Sequence, residues 1–199
     1  MIKRLFAGLL LLLLSGCGSS KLEPLETGAV ILAFGDSLTA GVGTDKQFSY
    51  PSVLERLSGI RVVNAGISGE TTAEGLRRFS SVLNQHSPDL LILIEGGNDI
   101  LRNNNKAETK QNLEQMIQLA MARNIQVVLL GVPEKSLFSS SAPFYAELAE
   151  KYDLVFDGKI IGSLMRSPSK KSDAVHFNRE GYYEMADTIY DLLRDNGAL

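Results

Sequence analysis

The sequence predicts an α/β domain, a three-layer α/β/α sandwich built around a five-stranded parallel sheet. Two observations predict this fold. From residue 29 onward, five apolar runs occur that are each short enough to be a buried strand. Segments with helical periodicity separate these runs, and strands that alternate with helices form a parallel sheet covered on both faces. No internal repeat or second-domain boundary interrupts the pattern.

The predicted elements follow one another in a regular order. The five strands are predicted at Ala29 to Phe34, Arg61 to Asn64, Leu90 to Ile94, Val127 to Leu130 and Leu154 to Phe156. The helices are predicted at Tyr50 to Leu57, Thr72 to Asn84, Ala107 to Arg123, Phe144 to Tyr152 and Arg179 to Asp195. The third of these helices has an apolar face made of Leu113, Met116, Ile117 and Ala120. The last one has a face made of Tyr183, Ala186, Ile189, Tyr190 and Leu193.

The first residues have the pattern of an export signal. Lys3 and Arg4 form a basic start, Leu5 to Leu14 is apolar, and small residues precede Cys17. Ten apolar residues are too few to span a bilayer, so a transmembrane helix is the weaker interpretation. The segment resembles a bacterial lipoprotein signal, which implies that Cys17 is lipidated and becomes the N-terminus of the mature protein. The alternative is an ordinary secretory signal with an incidental cysteine.

These features divide the chain into a signal peptide over residues 1–16, a lipidated N-terminus with a tether over residues 17–28, and a single domain over residues 29–199. The stretch from Gly18 to Gly28 is polar, and fully extended it could reach on the order of 35 Å. Gly18 resembles the outer-membrane default, because the usual retention signal at that position is an aspartate. We therefore expect a monomeric protein of the bacterial cell envelope, anchored to the outer membrane through lipidated Cys17 and facing the periplasm.

Composition excludes several classes of function. The formal net charge is −3, or −5 once Lys3 and Arg4 leave with the signal, and no long basic cluster is present, so we expect no nucleic-acid partner. Two histidines and one cysteine are too few for a typical zinc site, and a single cysteine excludes an internal disulfide. The Walker A, Gly-x-Gly-x-x-Gly and Gly-x-Ser-x-Gly motifs are absent. We expect an enzyme without metal or cofactor.

The chemically informative residues follow the predicted strands. Gly35 to Gly41 follows the first strand, Asn64 to Thr71 follows the second, and Gly96 to Asp99 follows the third. Each segment is rich in Gly, Asn, Ser and Asp, which permit unusual backbone angles and offer hydrogen-bond donors. Any one of them is more simply explained as an ordinary turn. Because parallel strands place functional loops at their carboxyl ends, the three together predict a site at that edge of the sheet.

A base that could activate a serine has only two candidates, His86 and His176. His86 stands at a predicted helix end before Pro88, where a polar residue needs no catalytic explanation. His176 precedes the last helix, and Asp173, three residues earlier, can reach the second nitrogen of its imidazole. Ser37 lies where a strand gives way to a helix. Taken singly, Ser37 and Asp173 could also be helix caps.

The four segments, in this order and spacing, resemble the SGNH (GDSL-type) hydrolase family, nearest to its small bacterial acyl thioesterase, esterase and lysophospholipase members. The resemblance covers essentially the whole mature domain, and four ordered blocks are far more specific than one Gly-Asp-Ser triplet. It implies a flavodoxin-like SGNH hydrolase fold with Ser37 as nucleophile, His176 as general base and acid, and Asp173 as its orienting partner. It also implies an oxyanion hole formed by the Ser37 N–H, the Gly69 N–H and the side-chain amide of Asn98.

These roles also have physical reasons. His176 can accept the proton of a serine hydroxyl near neutral pH. Gly69 has no side chain to keep an oxyanion from its N–H, and Asn98 adds a donor that does not titrate. The chain departs from the family pattern at two positions. Phe177 replaces a proline that restricts the loop in many members, and Gly66 replaces a serine, which we interpret as backbone freedom.

The sequence therefore predicts a serine-dependent hydrolase of small carboxylic esters or thioesters that acts through an acyl-enzyme. The resemblance and the membrane tether favour lipid-like acyl substrates. Removal of acetyl groups from a cell-envelope polysaccharide is the alternative, and a non-catalytic envelope lipoprotein is a third hypothesis that the intact site residues disfavour. We expect the loop from Gly131 to Ala142 to line the acyl pocket with Leu101 and Phe138. Asp36 and Asp99 are expected to brace loops by accepting backbone hydrogen bonds.

Overall fold

The computed structural model describes residues 21–135 and 141–199, so the predicted signal peptide, Cys17 and Phe138 lie outside the described residues. The strands are β1 (Val30–Gly35), β2 (Arg61–Gly66), β3 (Leu90–Ile94), β4 (Gln126–Leu130) and β5 (Val155–Asp157). They form one sheet in the order β2-β1-β3-β4-β5, and every neighbouring pair is parallel. The predicted five-stranded parallel sheet is confirmed, and each strand lies within two residues of its predicted bounds.

Helices cover both sides of this sheet. In the described part of the chain they are α1 (Ser37–Ala40), α2 (Tyr50–Ser58), α3 (Thr72–His86), α4 (Gly97–Leu101), α5 (Lys106–Met121), α6 (Pro143–Lys151), α7 (Ile160–Met165) and α8 (Arg179–Asp195). Single turns of 3-10 helix lie at Lys46–Phe48 and Pro168–Lys170. The five long helices match their predicted bounds to within two residues. The short helices α4 and α7 have no counterpart among the sequence predictions.

The core explains why the central strands are continuously apolar. All five residues of β3 are fully buried, and so are residues 31–34 of β1. A strand that has helices on both faces needs an apolar side chain at every position. The apolar face predicted for α5 is confirmed, since its members are fully buried against the sheet, namely Leu113, Met116, Ile117 and Ala120.

The buried face of α8 differs from the prediction in its first turn. Tyr183 is 52% exposed, whereas Tyr182 is fully buried. Tyr182 packs against the ring of Phe177, and its hydroxyl donates to the backbone oxygen of Val42 at 2.8 Å. Successive helix residues point about 100° apart, so only one of the two tyrosines can reach this acceptor. The prediction for Tyr183 is therefore wrong, while the other predicted members of the face are buried or partly buried, namely Ala186, Ile189, Tyr190 and Leu193.

The segment before β1 is docked on the domain, where the sequence predicts a free tether. Leu22 is 5% exposed, and its N–H donates to the backbone oxygen of Asn196 at 3.0 Å. The N–H of Leu25 donates to the backbone oxygen of Ala198 at 2.9 Å. The tether prediction is therefore wrong for residues 21–28, because two leucines in a polar stretch find apolar surface beside the end of α8. Residues 18–20 lie outside the described residues.

The docked segment lies at the amino ends of the strands. Glu23 exchanges two hydrogen bonds with the side chain of Gln126, the first residue of β4, at 2.7 and 3.0 Å. Lys21 pairs with Asp153, which lies just before β5, at 2.6 Å. The chain therefore enters the domain at the edge opposite to the carboxyl ends of the strands. None of the helices within residues 21–135 and 141–199 is both long enough and apolar enough to cross a bilayer.

Candidate active site

The first motif segment places Ser37 at the carboxyl end of β1. Asp36 caps the short helix α1, because its Oδ1 accepts from the Leu38 N–H at 3.0 Å. Gly35 is required by a close approach, since a Cβ there would lie 2.1 Å from the backbone oxygen of Ile94 in β3. Helix α1 has only four residues, so its dipole adds little to the site. The tight turn holds Ser37 at the edge of the sheet.

Ser37, His176 and Asp173 form one hydrogen-bonded chain. Nε2 of His176 lies 3.0 Å from Oγ of Ser37, and Nδ1 lies 2.7 Å from Oδ2 of Asp173. The other carboxylate oxygen, Oδ1, accepts from the backbone N–H groups of Val175 and His176 at 2.9 and 2.8 Å. The side chain of His176 is 19% exposed and that of Asp173 is 53% exposed. The structure thus brings together the three residues that the sequence singled out.

The Asp173 carboxyl stays ionised throughout the neutral range. Its pKa is lowered to about 2, first by the hydrogen bond from the His176 side chain and then by the N–H groups of Val175 and His176. An ionised Asp173 accepts the proton carried by Nδ1, so the unprotonated Nε2 faces the Ser37 hydroxyl. This is the imidazole tautomer that can take a proton from the serine.

A backbone bridge and a buried ring hold the loop that carries His176. Lys171 and Phe177 form an antiparallel bridge, and the Ser172 N–H donates to the backbone oxygen of His176 at 3.0 Å. The Phe177 side chain is fully buried against Tyr182. Packing therefore restrains this loop at the position where many members of the family have proline.

Ser37 and Gly69 both line a cavity at this edge, and no acceptor within the described residues takes their backbone N–H groups. Gly69 has a φ of +82°, in the left-handed region that favours glycine. A Cβ there would have room, because the nearest atom would be an Arg102 nitrogen at 3.7 Å. Backbone conformation therefore requires a glycine at this position, and the expected access of an oxyanion to its N–H stays a prediction. Arg102 also donates to the Gly69 backbone oxygen at 2.8 Å and so holds the peptide that joins Gly69 to Glu70, next to the N–H of Gly69.

Asn98, in the first turn of α4, lines the same cavity. Its side-chain nitrogen donates to the backbone oxygen of Glu70 at 2.9 Å and lies 3.3 Å from Oδ2 of Asp36. An amide nitrogen carries two hydrogens. The shorter bond sets the plane of the amide, and the longer contact is weak enough for a substrate oxygen to replace it.

Asp36 and Asp99 brace the site as expected. Oδ2 of Asp99 accepts from the Thr72 N–H at 2.8 Å, and Oδ1 accepts from the Thr72 hydroxyl at 3.0 Å, which ties α4 to the start of α3. Asp36 is 3% exposed, and burial raises its pKa to about 6 although the Leu38 N–H opposes the shift. A buried carboxyl group therefore lies directly beneath Asn98.

Two other sequence expectations have a clear outcome. Gly66 is needed because a Cβ there would lie 2.2 Å from the Ala40 nitrogen, so close approach of α1, and not backbone freedom, is the reason for it.

His86 ends α3, which runs from the carboxyl edge of the sheet to the amino edge, so His86 lies at the edge far from Ser37. Within the described residues, no three His, Cys, Asp or Glu side chains are grouped as metal ligands.

The site also depends on residues that the sequence analysis missed. Glu70 directly follows Gly69 and is only 5% exposed. Its carboxylate pairs with the side chain of Arg78, which lies eight residues later in α3. Glu95, at the end of β3, is fully buried. A carboxylate placed inside the second motif segment was the only sequence signal for Glu70. Nothing in the spacing indicates that Glu70 and Glu95 both lie beside Gly75.

An apolar cavity of about 400 Å³ opens beside Ser37 and His176. Leu101 and residues 132–135 line it as expected, residues 131, 141 and 142 of the same loop do not, and Phe138 lies outside the described residues. Further apolar side chains line it, namely Leu38, Ile100, Met165 and Val175, together with polar and charged ones that include Ser68, Arg166 and Lys171. The hydroxyl of Ser37 therefore faces a space with room for a hydrocarbon chain.

Comparison with known proteins identifies the family. Residues 33–183 match the GDSL-like Lipase/Acylhydrolase family. The chain belongs to this family. The matched range contains Ser37, Gly69, Asn98, Asp173 and His176. The resemblance inferred from the four motif segments is thus confirmed, and the family is one of ester-bond hydrolases.

Individual relatives agree with this assignment. The chain is 41% identical over 127 residues to "Esterase TesA" of Pseudomonas aeruginosa, a match that spans 61% of this chain and 63% of that protein. It is 30% identical over 165 residues to "Thioesterase 1/protease 1/lysophospholipase L1" of Escherichia coli strain K12, a match that spans 79% of each. The solved structure of AlinE4, an SGNH-hydrolase family esterase, is 36% identical with a TM-score of 0.67, covering 84% of this chain and 96% of that one. The predicted SGNH hydrolase fold is confirmed.

Proposed function

We propose that the protein hydrolyses carboxylic esters and thioesters through an acyl-enzyme on Ser37, with lipid-like acyl chains as the preferred substrates. One observation carries the proposal. The hydrogen-bonded chain from Asp173 through His176 to Ser37 ends at an apolar cavity of about 400 Å³. A nucleophile, its base and the orienting carboxylate are thus in contact, and a space for an acyl chain lies beside them.

The first half of the reaction forms the acyl-enzyme. Oγ of Ser37 attacks the carbonyl carbon while Nε2 of His176, 3.0 Å away, takes its proton. The negative charge that develops on the carbonyl oxygen is stabilised by the N–H groups of Ser37 and Gly69 and by the amide of Asn98. The imidazolium then gives its proton to the leaving alcohol or thiol, and Asp173 stabilises that cation.

The second half returns the enzyme to its starting state. His176 takes a proton from a water molecule, the resulting hydroxide attacks the acyl carbon, and the same donors stabilise the second oxyanion. Collapse of this intermediate breaks the bond to Ser37 Oγ, which regains its proton from His176. The products are a carboxylic acid and the free serine.

The cavity lining supports an acyl chain in preference to a sugar. Most of the surface that lines it is apolar, with contributions from Ile100, Leu101 and Met165, although charged side chains such as Lys135 and Lys171 also reach it. Burying one methylene contributes about 0.8 kcal/mol, so each added carbon that fits should raise kcat/KM by up to about fourfold. The names of the relatives include esterase, thioesterase and lysophospholipase, which are activities on acyl chains.

Rates on nitrophenyl esters from acetate to palmitate test both parts of the proposal. We expect kcat/KM to rise from acetate towards medium chains, and Ser37→Ala to lose activity on every ester. Ser81→Ala, an exposed serine on α3, is the matched control and should keep the parent rates. An active Ser37→Ala variant would contradict the mechanism. A sharp optimum at acetate would contradict the lipid-like substrate class and favour deacetylation of an envelope polysaccharide.

We also propose that Cys17 is lipidated and holds the protein on the periplasmic face of the outer membrane. The lipoprotein-like pattern before Cys17 supports this anchor. Incorporation of labelled palmitate into the parent and not into Cys17→Ser is the expected result. Equal labelling of both proteins would contradict it.

The docked N-terminal segment bears on the orientation of such an anchored protein. Three residues separate Cys17 from Lys21, which pairs with Asp153 at the amino edge of the sheet. The four Cα-to-Cα steps from Cys17 to Lys21 reach at most about 14 Å. A lipidated Cys17 would therefore keep the amino edge near the membrane, and the cavity at the carboxyl edge would open away from it. In that orientation the substrates arrive from the aqueous side.

Hydrolysis on phosphatidylcholine vesicles tests this orientation. We expect the lipidated parent to hydrolyse nitrophenyl butyrate in solution but to act slowly on a long-chain ester embedded in the same vesicles. Inserting twenty Gly and Ser residues between Ser20 and Lys21, a reach of roughly 25 Å, should raise only the second rate. Equal rates on the embedded ester with and without the insert would contradict the orientation.

A further inference from the structure

A buried carboxyl group with an unsatisfied oxygen lies beneath the proposed oxyanion hole. Glu95 is fully buried at the end of β3. Its Oε2 accepts only from the neighbouring Gly96 N–H at 3.1 Å, and its Oε1 has no hydrogen-bond donor among the described residues. A buried carboxylate in this state lacks most of the hydrogen bonds that would compensate for the loss of water. The group therefore needs either a donor or a proton.

The carboxylate of Glu70 is its neighbour. A Cβ added at Gly75 would lie 3.4 Å from Oε1 of Glu95 and 3.5 Å from Oε2 of Glu70, so both oxygens face the same small space between the sheet and α3. Burial first, and then the negative charges of Asp36 and Glu70, raise the pKa of Glu95 well above its usual range. The two carboxyl groups can meet only if one of them is protonated.

The surroundings decide which group holds the proton. Glu70 accepts from Nε of Arg78 at 2.6 Å and pairs with its Nη2, so Glu70 is the ionised partner. Glu95 has no cation beside it in the described residues; the groups that face it are the carboxyls of Asp36 and Glu70. The hydroxyl of Tyr145, on α6, donates to the backbone oxygen of Glu95 at 2.6 Å and not to its carboxyl group. The proton therefore belongs to Glu95.

Glu70 connects this pair to the proposed oxyanion hole. Glu70 is the covalent neighbour of Gly69, whose N–H is one proposed donor, and its backbone oxygen accepts from the side-chain amide of Asn98, the second donor, at 2.9 Å. Two of the three proposed oxyanion donors thus lie on a residue bonded to Glu70 or on a side chain that donates to it. A displacement of Glu70 would move both of them relative to Ser37.

We propose that Glu95 is a positioning residue: as a neutral carboxylic acid it donates a hydrogen bond to the Glu70 carboxylate and thereby holds Gly69 and Asn98 in line with Ser37. The inference rests on the proposed function, since Gly69 and Asn98 are oxyanion donors only there. Loss of the Glu95 proton at high pH would set two carboxylates against each other within reach of Asp36 and Asp99. Within the described residues, Arg78 is the cation that pairs with this cluster.

Two variants at position 95 separate the hydrogen bond from mere packing. Glu95→Gln keeps a neutral donor to Glu70, and we expect kcat within about threefold of the parent, with any loss of kcat at alkaline pH reduced. Glu95→Leu keeps the volume but removes the donor. We expect its kcat to fall by about 10- to 100-fold with little change in KM, less than the loss of a complete oxyanion donor. Its melting temperature should equal or exceed that of the parent, because a buried polar group has gone.

A core variant controls for loss of stability. Phe79, on α3, packs edge-on against Phe34 with ring centroids 4.9 Å apart, and its side chain has no group that could hydrogen-bond to the carboxyl cluster. Phe79→Leu should melt at a lower temperature and keep its kcat. An equal fall of kcat in Phe79→Leu and Glu95→Leu would overturn the proposal. An unchanged kcat in Glu95→Leu would also overturn it. So would a kcat of Glu95→Gln as low as that of Glu95→Leu.

Infrared difference spectra test the protonation state without any substrate. At pH 8 the parent minus Glu95→Gln spectrum should contain the C=O stretch of a protonated carboxylic acid. Its absence would overturn the proposal whatever the enzyme hydrolyses. Failure of the proposed function would be seen instead as an active Ser37→Ala variant, so the two failures are distinguishable.

Discussion

Replacing Asp173 by asparagine probes the histidine tautomer, because the hydrogen bonds around position 173 dictate how the new side chain sits. Oδ1 accepts from the N–H groups of Val175 and His176 at 2.9 and 2.8 Å. Asparagine keeps both bonds only if its side-chain oxygen takes the position of Oδ1. Its NH2 group then takes the position of Oδ2, which lies 2.7 Å from Nδ1 of His176 in the parent. Turning the amide over would give up two backbone bonds, about 2 kcal/mol, so roughly one molecule in thirty does so.

The NH2 group then donates to Nδ1 and forces the imidazole proton onto Nε2, where it faces Ser37. That tautomer cannot take the proton of the serine hydroxyl. We expect kcat of Asp173→Asn to fall by about 10⁴-fold, the loss that a wrong tautomer causes in Ser-His-Asp triads. This corresponds to about 5 kcal/mol of the activation barrier.

Asp173→Ala loses the same charge and also both backbone bonds, but it leaves Nδ1 free to carry its proton. The Asp173 side chain is 53% exposed, so solvent screens its attraction for the imidazolium. With an effective dielectric between 20 and 80 and charges about 4 Å apart, that attraction is about 1 to 4 kcal/mol, or about 5- to 10³-fold in rate. We therefore expect the alanine variant to be faster than the asparagine variant.

The assay is kcat on nitrophenyl butyrate for the parent and both variants, with thermal melts to show that each protein is folded. An asparagine variant within tenfold of the parent would refute the tautomer argument. An alanine variant slower than the asparagine variant would also refute it, since Asp173 would then act mainly by holding the loop.

Three further changes test other parts of the structure. Gly69→Ala should lower kcat by 10-fold or more and cost about 1 to 2 kcal/mol of stability, because φ is +82° there; an unchanged kcat would contradict the role of this peptide. Asp36→Asn should gain stability relative to the parent as pH rises from about 4 to above 6, by about 3 kcal/mol in denaturant melts. The reason is that the raised pKa of about 6 makes ionisation of Asp36 unfavourable in the folded state. Leu22→Ala should lower the free energy of unfolding by about 2 kcal/mol if residues 21–28 are docked, whereas a free tether predicts no change.

The sign of the pH effect on Asp36 follows from linkage. Its folded pKa lies above the unfolded value, so the contribution of its protonated form to stability is complete below about pH 4 and is lost as pH rises through about 6. A parent and an Asp36→Asn variant whose stabilities differ by the same amount at pH 4 and pH 7.5 would contradict the burial argument. Measured at both pH values, Thr188→Ala on α8 serves as a control that carries no charge.

The strands and the serine–histidine pair were predictable from local signals. The residues of β3 are apolar at every position because both faces are covered, and that pattern is visible in the sequence. The scarcity of histidine left two candidates for the base, and the aspartate three residues before His176 distinguished them. Both inferences needed only composition and spacing.

The remaining features depend on contacts between distant parts of the chain. Helix α4 starts after Gly96, whose φ is +104°, and has five residues, too few for a periodic signal. The choice of Tyr182 over Tyr183 follows from an acceptor at Val42, 140 positions away. Glu70 lies in the loop after β2 and Glu95 directly follows β3, so only the folded sheet brings their side chains near each other. No single stretch of sequence contains these pairs.

The central claim is that ester hydrolysis passes through an acyl group on Ser37. Rapid-quench mass spectrometry of the protein mixed with nitrophenyl octanoate measures this directly. The predicted result is one octanoyl group on the peptide that contains Ser37, formed with the first release of nitrophenol and absent from Ser37→Ala. Turnover by the parent with no octanoyl group on Ser37, or with one on another residue in the variant, would contradict the claim.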